Sequence, residues 1–456
     1  MESNKISEEE KLSRGSIWKL IFTMGVPVLI AQIVNMLYNI VDRIYIGHIE
    51  VIGSDALTGL GVCNPIIMFV SAFAAFAGFG GAPLASIAMG KGDRKRAEKI
   101  LGNATFMIIV FSVILTAVFM AVKKPFLELV GASEVTYPYA DEYISIYLLG
   151  TLFVQVSIGL NSFITAQGKS RTAMFSVLIG AVTNIILDPI FIFAFDMGVK
   201  GAAIATVLSQ LFSALWVFLF LASDKSELRI RAEYLKPDIK VIGSVMALGV
   251  SPFIMQSTEA LISIVLNSGL QKYGGDLYVG SLTILQSVMQ FITTPINGFT
   301  QGVQPIMSYN FGAGNKDRVI QTFKRMTLLV VSASFVIALS TMLFPSFYAS
   351  LFTENRELIA LVDRVMPIFM CGMLIFGIQL SCQTAFMALG QAKISLFVAL
   401  LRKVILLIPF ALIFPIVMGG DVMGIYIAEP AADIIAVICC LTLFLLNIRK
   451  ILEKGA

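Results

Sequence analysis

Charge is scarce in this chain: 14% of its 456 residues are Asp, Glu, Lys or Arg, against about 25% in ordinary soluble domains. A surface that poor in charge cannot clothe the chain in water. Histidine is rarer still, with His48 the one copy, and the five cysteines (63, 371, 382, 439 and 440) form no C-x-x-C or other metal-spaced cluster. These absences argue against a zinc or iron site. The cysteines all lie in apolar stretches, where they read as reduced, buried small hydrophobes. No G-x-x-x-x-G-K-[ST] loop occurs, so nothing in the chain would hydrolyse ATP. The net charge of +4 is modest and no nucleic-acid footprint is visible. The first residues, MESNKISEEEKLSRGS, lack the basic, apolar and small-residue regions of a cleaved signal, so the first apolar segment is expected to be kept as a span.

What the chain has is apolar length: 57% of its residues are hydrophobic and the mean hydropathy is +0.87. A bilayer needs about 20 apolar residues per helical crossing. Twelve such stretches are expected, at 17–41, 56–80, 100–122, 143–166, 172–194, 201–222, 241–270, 277–304, 324–346, 364–388, 393–417 and 422–447. The eleventh is interrupted by Arg402 and Lys403, expected to snorkel toward the cytoplasmic face. Of the 33 Lys and Arg residues, 26 fall on one side; Arg43, Lys123, Lys124, Lys200, Lys272, Arg356 and Arg364 fall on the other. That bias predicts a multi-pass protein of the plasma membrane with both termini cytoplasmic.

The chain also repeats. Residues 80–97, GGAPLASIAMGKGDRKRA, align without a gap to 302–319, GVQPIMSYNFGAGNKDRV, and the same offset of 222 pairs Gly168 with Gly390. An even number of spans per repeat makes the halves parallel, related by an axis along the membrane normal. The expected architecture is all-α, with twelve transmembrane helices as two six-helix repeats around a central cleft. Its parts are an N-terminal segment 1–16, a first lobe 17–222, a linker 223–240, a second lobe 241–447 and a tail 448–456. Two lobes fused in one chain can form a complete pathway as a monomer.

Ionisable groups inside spans are expensive, and each needs a reason. Asp42 follows Asn35 and Tyr38 on one helical face; its position also fits an interfacial acid beside Arg43. Asp188 shares a face with Asn184 four residues earlier, and Pro189 loosens the backbone beside it. Asn161 and Thr206 lie on otherwise small or apolar faces, where each taken alone reads first as a helix-to-helix hydrogen-bonding residue. Together these residues can bind Na⁺ through oxygen atoms, at Asp42, Asp188 and Asn184, or share H⁺, because two adjacent carboxylates cannot both ionise cheaply. The second half carries Glu259, Glu429 and Asp433, readable either as cleft acids attracting cationic substrates or as partners for a basic group such as Arg402. Prolines 27, 65, 252 and 409 fall inside spans, and Pro27 shares a helix with Asp42. The 21 Met and 34 Phe can line a pliable pocket or pack against lipid.

In combination, GVPVLIAQIVNMLYNIVDRIYIG, the twin loops MGKGDRKRAEK and FGAGNKDRVIQ, GLNSFITAQGKSR, NIILDPIFIF and GVKGAAIATVLSQ resemble the multidrug and toxic compound extrusion (MATE) family, in its MepA-type branch. The likeness runs over about residues 15–447. It implies a 6+6 antiporter exchanging H⁺ or Na⁺ for lipophilic, usually cationic, organic compounds, with no other cofactor and no enzymatic activity. It also implies that Asp42, Asn161, Asn184, Asp188 and Thr206 form a first-lobe cation site with Tyr38 beside them. Pro27 would be the bending point of helix 1, and Glu259 an acid used in some members. The chain departs from members with an acid on helix 10, where it reads QLSCQTAF. A lipid-linked oligosaccharide flippase of related plan is the rival reading, but it would need several Arg or Lys in the cleft. A membrane-embedded hydrolase or acyltransferase would need a nucleophile with a base, and the single His falls in an outer loop.

Overall fold

The structure, a computed structural model, describes residues 8–49 and 52–454. The expected segments 1–16 and 448–456 therefore lie partly outside the described residues. A short helix, Glu8–Arg14, precedes twelve long helical elements: α1 (Ile17–Gly47), α2 (Gly53–Gly90), α3 (Arg94–Val130), α4 (Tyr137–Leu149 with Thr151–Ala166), α5 (Ser170–Ala194) and α6 (Gly198–Ala222). After the linker come α7 (Ile239–Tyr273), α8 (Asp276–Gly312), α9 (Lys316–Leu343), α10 (Arg356–Met370 with Met373–Ala388), α11 (Ala392–Val417) and α12 (Met423–Lys454).

Among the described residues, nine of these are single helices long and apolar enough to cross a membrane, and α4 and α10 join them as bent pairs. The twelfth, α8, is 37 residues long but carries a polar face of Thr294, Asn297, Thr300, Gln301 and Gln304, all turned to an internal cavity. Helices outrun the apolar stretches predicted for them because lipid sets only the apolar length, and a helix can continue into water. In α3 the extra turns are basic, Arg94 to Lys99, and start from Asp93, whose side chain accepts from the Arg96 amide at 3.0 Å.

The repeat is visible in backbone geometry. Gly92 and Gly314, 222 positions apart, turn the chain at φ of 75° and 73°. The bends of 62° in α4 and 43° in α10 centre on Gly150 and Gly372, again 222 apart. Neither bend is at a proline.

The two halves meet toward the face that carries the basic loops. The start of α1 packs on the end of α8 and the end of α2 on the start of α7. Closest to that face, the Gly90 and Gly312 Cα atoms lie so near Tyr309 and Ile87 that a Cβ on either would strike a backbone oxygen. Gly312→Val is therefore expected to hold the halves apart there, since overpacking costs about 1–3 kcal/mol and backbone cannot swing aside. A membrane-impermeant maleimide added on the basic-loop face should then label a cysteine placed at buried Ser308, and should not label it when Gly312 is retained.

The linker belongs to the first half. The Gln167 side-chain oxygen accepts from the Ser226 hydroxyl and the Glu227 and Leu228 amides at 2.9, 2.7 and 3.1 Å. Arg231 pairs with Glu98 at 2.8 Å and Lys99 with Asp238 at 2.5 Å. The Lys99 ammonium, with the Val241 amide, holds the Asp238 carboxyl below its ordinary range. At the chain's other strap, Arg318 of α9 donates to the Leu12 and Gly15 carbonyls at 3.0 and 2.8 Å, fastening the short helix to the second half.

Candidate functional site

Polar residues inside the first half gather toward the face opposite the basic loops. On α1, Asn35, Tyr38 and Asp42 share one stripe, and Asp42 is buried at 7% exposure. On α5, Asp188 is fully buried, and the Asn184 amide donates to its Oδ1 at 3.1 Å. Pro189 supplies no backbone N–H, and α5 widens into a π turn over Ile190–Ala194 just beyond it. The carboxyls of Asp42 and Asp188 lie close to each other, Asp42 on the cavity wall and Asp188 buried behind it. Tyr38, one turn before Asp42 on the same stripe, lines the cavity with it and with Gln210. Thr206 of α6 lies 3.4 Å from the Tyr143 hydroxyl of α4.

Three buried oxygens of this cluster, Asp42 Oδ1, Asp188 Oδ2 and Asn184 Oδ1, have no hydrogen-bond partner. Such atoms are normally satisfied, and leaving them otherwise costs free energy. Their chemistry suits H⁺ or a hard cation. Among the described residues there is no group of three or more His, Cys, Asp or Glu able to hold a metal.

Asn161 is not part of this gathering. Its amide donates to the Ala173 carbonyl at 3.2 Å, and Ala173 precedes Asp188 by fifteen positions on α5, roughly 22 Å of helix. α4 instead offers Ser157 to the cluster, its hydroxyl donating to Gln210 at 2.6 Å. A π turn over Val156–Leu160 resets which face α4 presents, so the place in the cation site that the resemblance implied for Asn161 is not where the helix carries it. Tyr143, Ser157 and Gln210 were not singled out from the sequence; a polar residue repeating on one side of each span was the available signal.

In the second half, the snorkelling of Arg402 and Lys403 is overturned. Both are turned inward, with side-chain exposures of 12% and 6%. Arg402 donates to Asp433 at 2.5 Å and to Glu429 at 3.1 Å and stacks 4.7 Å over the Phe376 ring. Lys403 pairs with Glu259 and donates to the Met255 carbonyl at 3.1 Å. A π turn over Leu401–Leu407 aims the two neighbours at different helices, α12 and α7. Snorkelling relieves a lone charge; here acids on neighbouring helices, buried Asp433 and Glu429 for Arg402 and the cavity-facing Glu259 for Lys403, relieve it without the trip to the surface. Glu429 and Asp433 are thus partners of Arg402 and take no part in the cavity wall, whereas Glu259 and Lys403 do. α1 runs as one helix through Pro27, which is buried in the stretch where α1 crosses α8.

Between the halves lies a cavity of about 630 Å³. It reaches from Asp42 and Arg43 down to Ser308, near the Gly90–Gly312 crossing.

The MatE family profile matches residues 27–190 and 252–413, once in each half. Among curated proteins, the multidrug export protein MepA of Staphylococcus haemolyticus is 24% identical over 424 residues, 92% of each chain. That of Staphylococcus aureus NCTC 8325 is 24% identical over 445 residues, 97% of each chain. Among solved structures, a MATE in the bent conformation superposes with a TM-score of 0.92 at 21% identity, covering 99% of this chain and all of the other. An outward-facing multidrug resistance MATE transporter of the MOP superfamily superposes at 0.91 and 22% identity, covering 98% and 99%. At these identities the superpositions speak for the twelve-helix fold.

Proposed function

The chain belongs to the MatE family, and from that premise we propose that it is a secondary active exporter of small organic molecules, of the multidrug-efflux kind, driven by H⁺ taken up at the Asp42–Asp188 pair. The observation that carries this reading is the closeness of those two carboxyls beside a cavity shared by both halves. Two carboxyls this close sit together stably only while one keeps a proton; with neither protonated, two negative charges in a low-dielectric interior repel. Loading and unloading therefore changes the force between α1 and α5. α1 also packs on α8 across the closed end of the cavity, so a shift in α1 is felt where the halves separate. An ion moves that equilibrium by its differential affinity for the two states.

Taking the basic-loop face as cytoplasmic, a cavity closed there is outward-open, in a plasma-membrane protein with both termini inside. Na⁺ is the second candidate, because the partnerless oxygens of Asp42, Asp188 and Asn184 could take it once the carboxyls part. Both walls of the cavity come from one chain, which favours a monomer as the working unit. A flippase for lipid-linked oligosaccharides is disfavoured: the basic groups at the cavity are Arg43 and Lys403, and Lys403 is already paired. Lipophilic cations, the expected cargo, find one open carboxylate there, Glu259, and it too is paired.

Purified protein in liposomes, given a pH gradient or a Na⁺ gradient in separate experiments, tests the proposal. Substrate is expected to move uphill against the pH gradient. Movement with Na⁺ alone would reassign the ion, and movement with neither would refute the antiporter.

A further inference from the structure

The wall of the interlobe cavity is rich in amides. Eleven of its lining side chains are Asn or Gln, and four carry formal charge. Those charges are mostly spoken for: Lys403 and Glu259 hold each other, Asp42 lies against Asp188, and Arg43 stands exposed at the rim. Most of the amides are not spoken for. Gln32, Asn35, Asn64, Gln256, Asn297 and Gln301 make no side-chain hydrogen bond to any described residue. They come from α1, α2, α7 and α8, so both halves contribute.

Small-molecule pockets are usually lined by apolar and aromatic groups with a few polar anchors. Here the polar anchors are many, set among apolar surface that still makes up the larger share of the wall. Four aromatic rings reach the wall, and three of them, Tyr38, Tyr143 and Tyr147, come from the first half, where Tyr143 and Tyr147 stack at 6.3 Å. A lipophilic cation would want a free carboxylate or a cage of rings; the remaining wall supplies neither beyond Phe79.

Resting on the exporter reading above, we infer that the cargo is a neutral small molecule bearing several hydroxyl or amide groups, such as a glycoside or nucleoside, rather than a lipophilic cation. An amide side chain both donates and accepts, which matches hydroxyl groups that do the same. Cargo leaving water for this cavity exchanges its hydration for amide partners at little net loss. A cargo without such groups strips water from the amides and returns nothing, and each polar group left unpaired costs about 1–3 kcal/mol. The same asymmetry lets sites built for hydrogen bonding reject analogues that lack the group.

The test uses the full chain in liposomes under an imposed pH gradient, with uridine, salicin and chloramphenicol as neutral probes and tetraphenylphosphonium and ethidium as cations. The neutral probes are expected to accumulate above protein-free liposomes, with kcat/KM at least about tenfold above that of the cations. Gln256→Leu and Gln301→Leu should each lower neutral uptake by about tenfold and raise tetraphenylphosphonium uptake. Cations carried as well as or better than the neutral probes would overturn the inference while leaving the exporter reading intact. If no probe of either class moves under any gradient, both fall together. The wild-type comparison decides the matter even where a Leu variant fails to reach the membrane.

Discussion

Asp42→Asn is expected to bring gradient-driven efflux down to the level of a membrane without the protein, while the chain still folds and inserts. Asn keeps the shape and a carbonyl oxygen for the neighbours, so the packing of α1 against α5 has little reason to change. What it loses is the ability to ionise. With one member of the pair permanently neutral, the contact to Asp188 no longer alternates between attraction and repulsion, and the ion has no differential affinity with which to drive the cycle. Asn447→Ala is the control. Its side chain bonds to the Leu443 carbonyl at 2.8 Å on α12, away from the cavity wall, and substitutions so separated without shared partners act independently. Efflux by both variants at matched membrane expression checks this. Retained efflux in Asp42→Asn, or equal loss in Asn447→Ala, would speak against the assignment.

The second large effect is on stability. Arg402→Met leaves Asp433 and Glu429, with side-chain exposures of 1% and 5%, without their cation. Removing one partner of a buried ion pair costs about 3–5 kcal/mol, because the charge left behind is uncompensated. The variant should aggregate at markedly lower temperature in detergent. Converting the acids as well, with Glu429→Gln and Asp433→Asn alongside Arg402→Met, should recover most of the loss, since the desolvated charges go too. An Arg402→Met protein as heat-stable as the parent would mean that the cluster is hydrated and does little structurally.

The twelve crossings were legible because lipid imposes the same demand on every span, and the 222-residue repeat because paired glycine turns survive in both copies. Asp42 and Asp188 were legible for a local reason: each lies on a stripe with a polar neighbour three or four residues away, a spacing that any intact helix preserves. Depth was harder. Asn161 sits beyond the bend at Gly150 and a π turn, features that sequence spacing does not register. Arg402 and Lys403 were misplaced because snorkelling is a rule for a charge considered alone, whereas their partners lie on other helices. The amide wall escaped notice for a similar reason. Gln256, Asn297 and Gln301 look like isolated polar residues until α7 and α8 are brought face to face with α1 and α2.

The most direct measurement concerns the coupling of the acid pair to the direction of opening. Spin labels at Leu129, near the end of α3, and Leu351, just past the short helix Pro345–Ser350 that follows α9, both exposed and opposite the basic loops, in a chain with its native cysteines replaced, would report the distance across the outer opening. In the parent that distance distribution should shift as the pH is lowered, and in Asp42→Asn it should stay in one form throughout. The same pH response in both proteins would contradict a mechanism in which these two acids set which way the cavity faces.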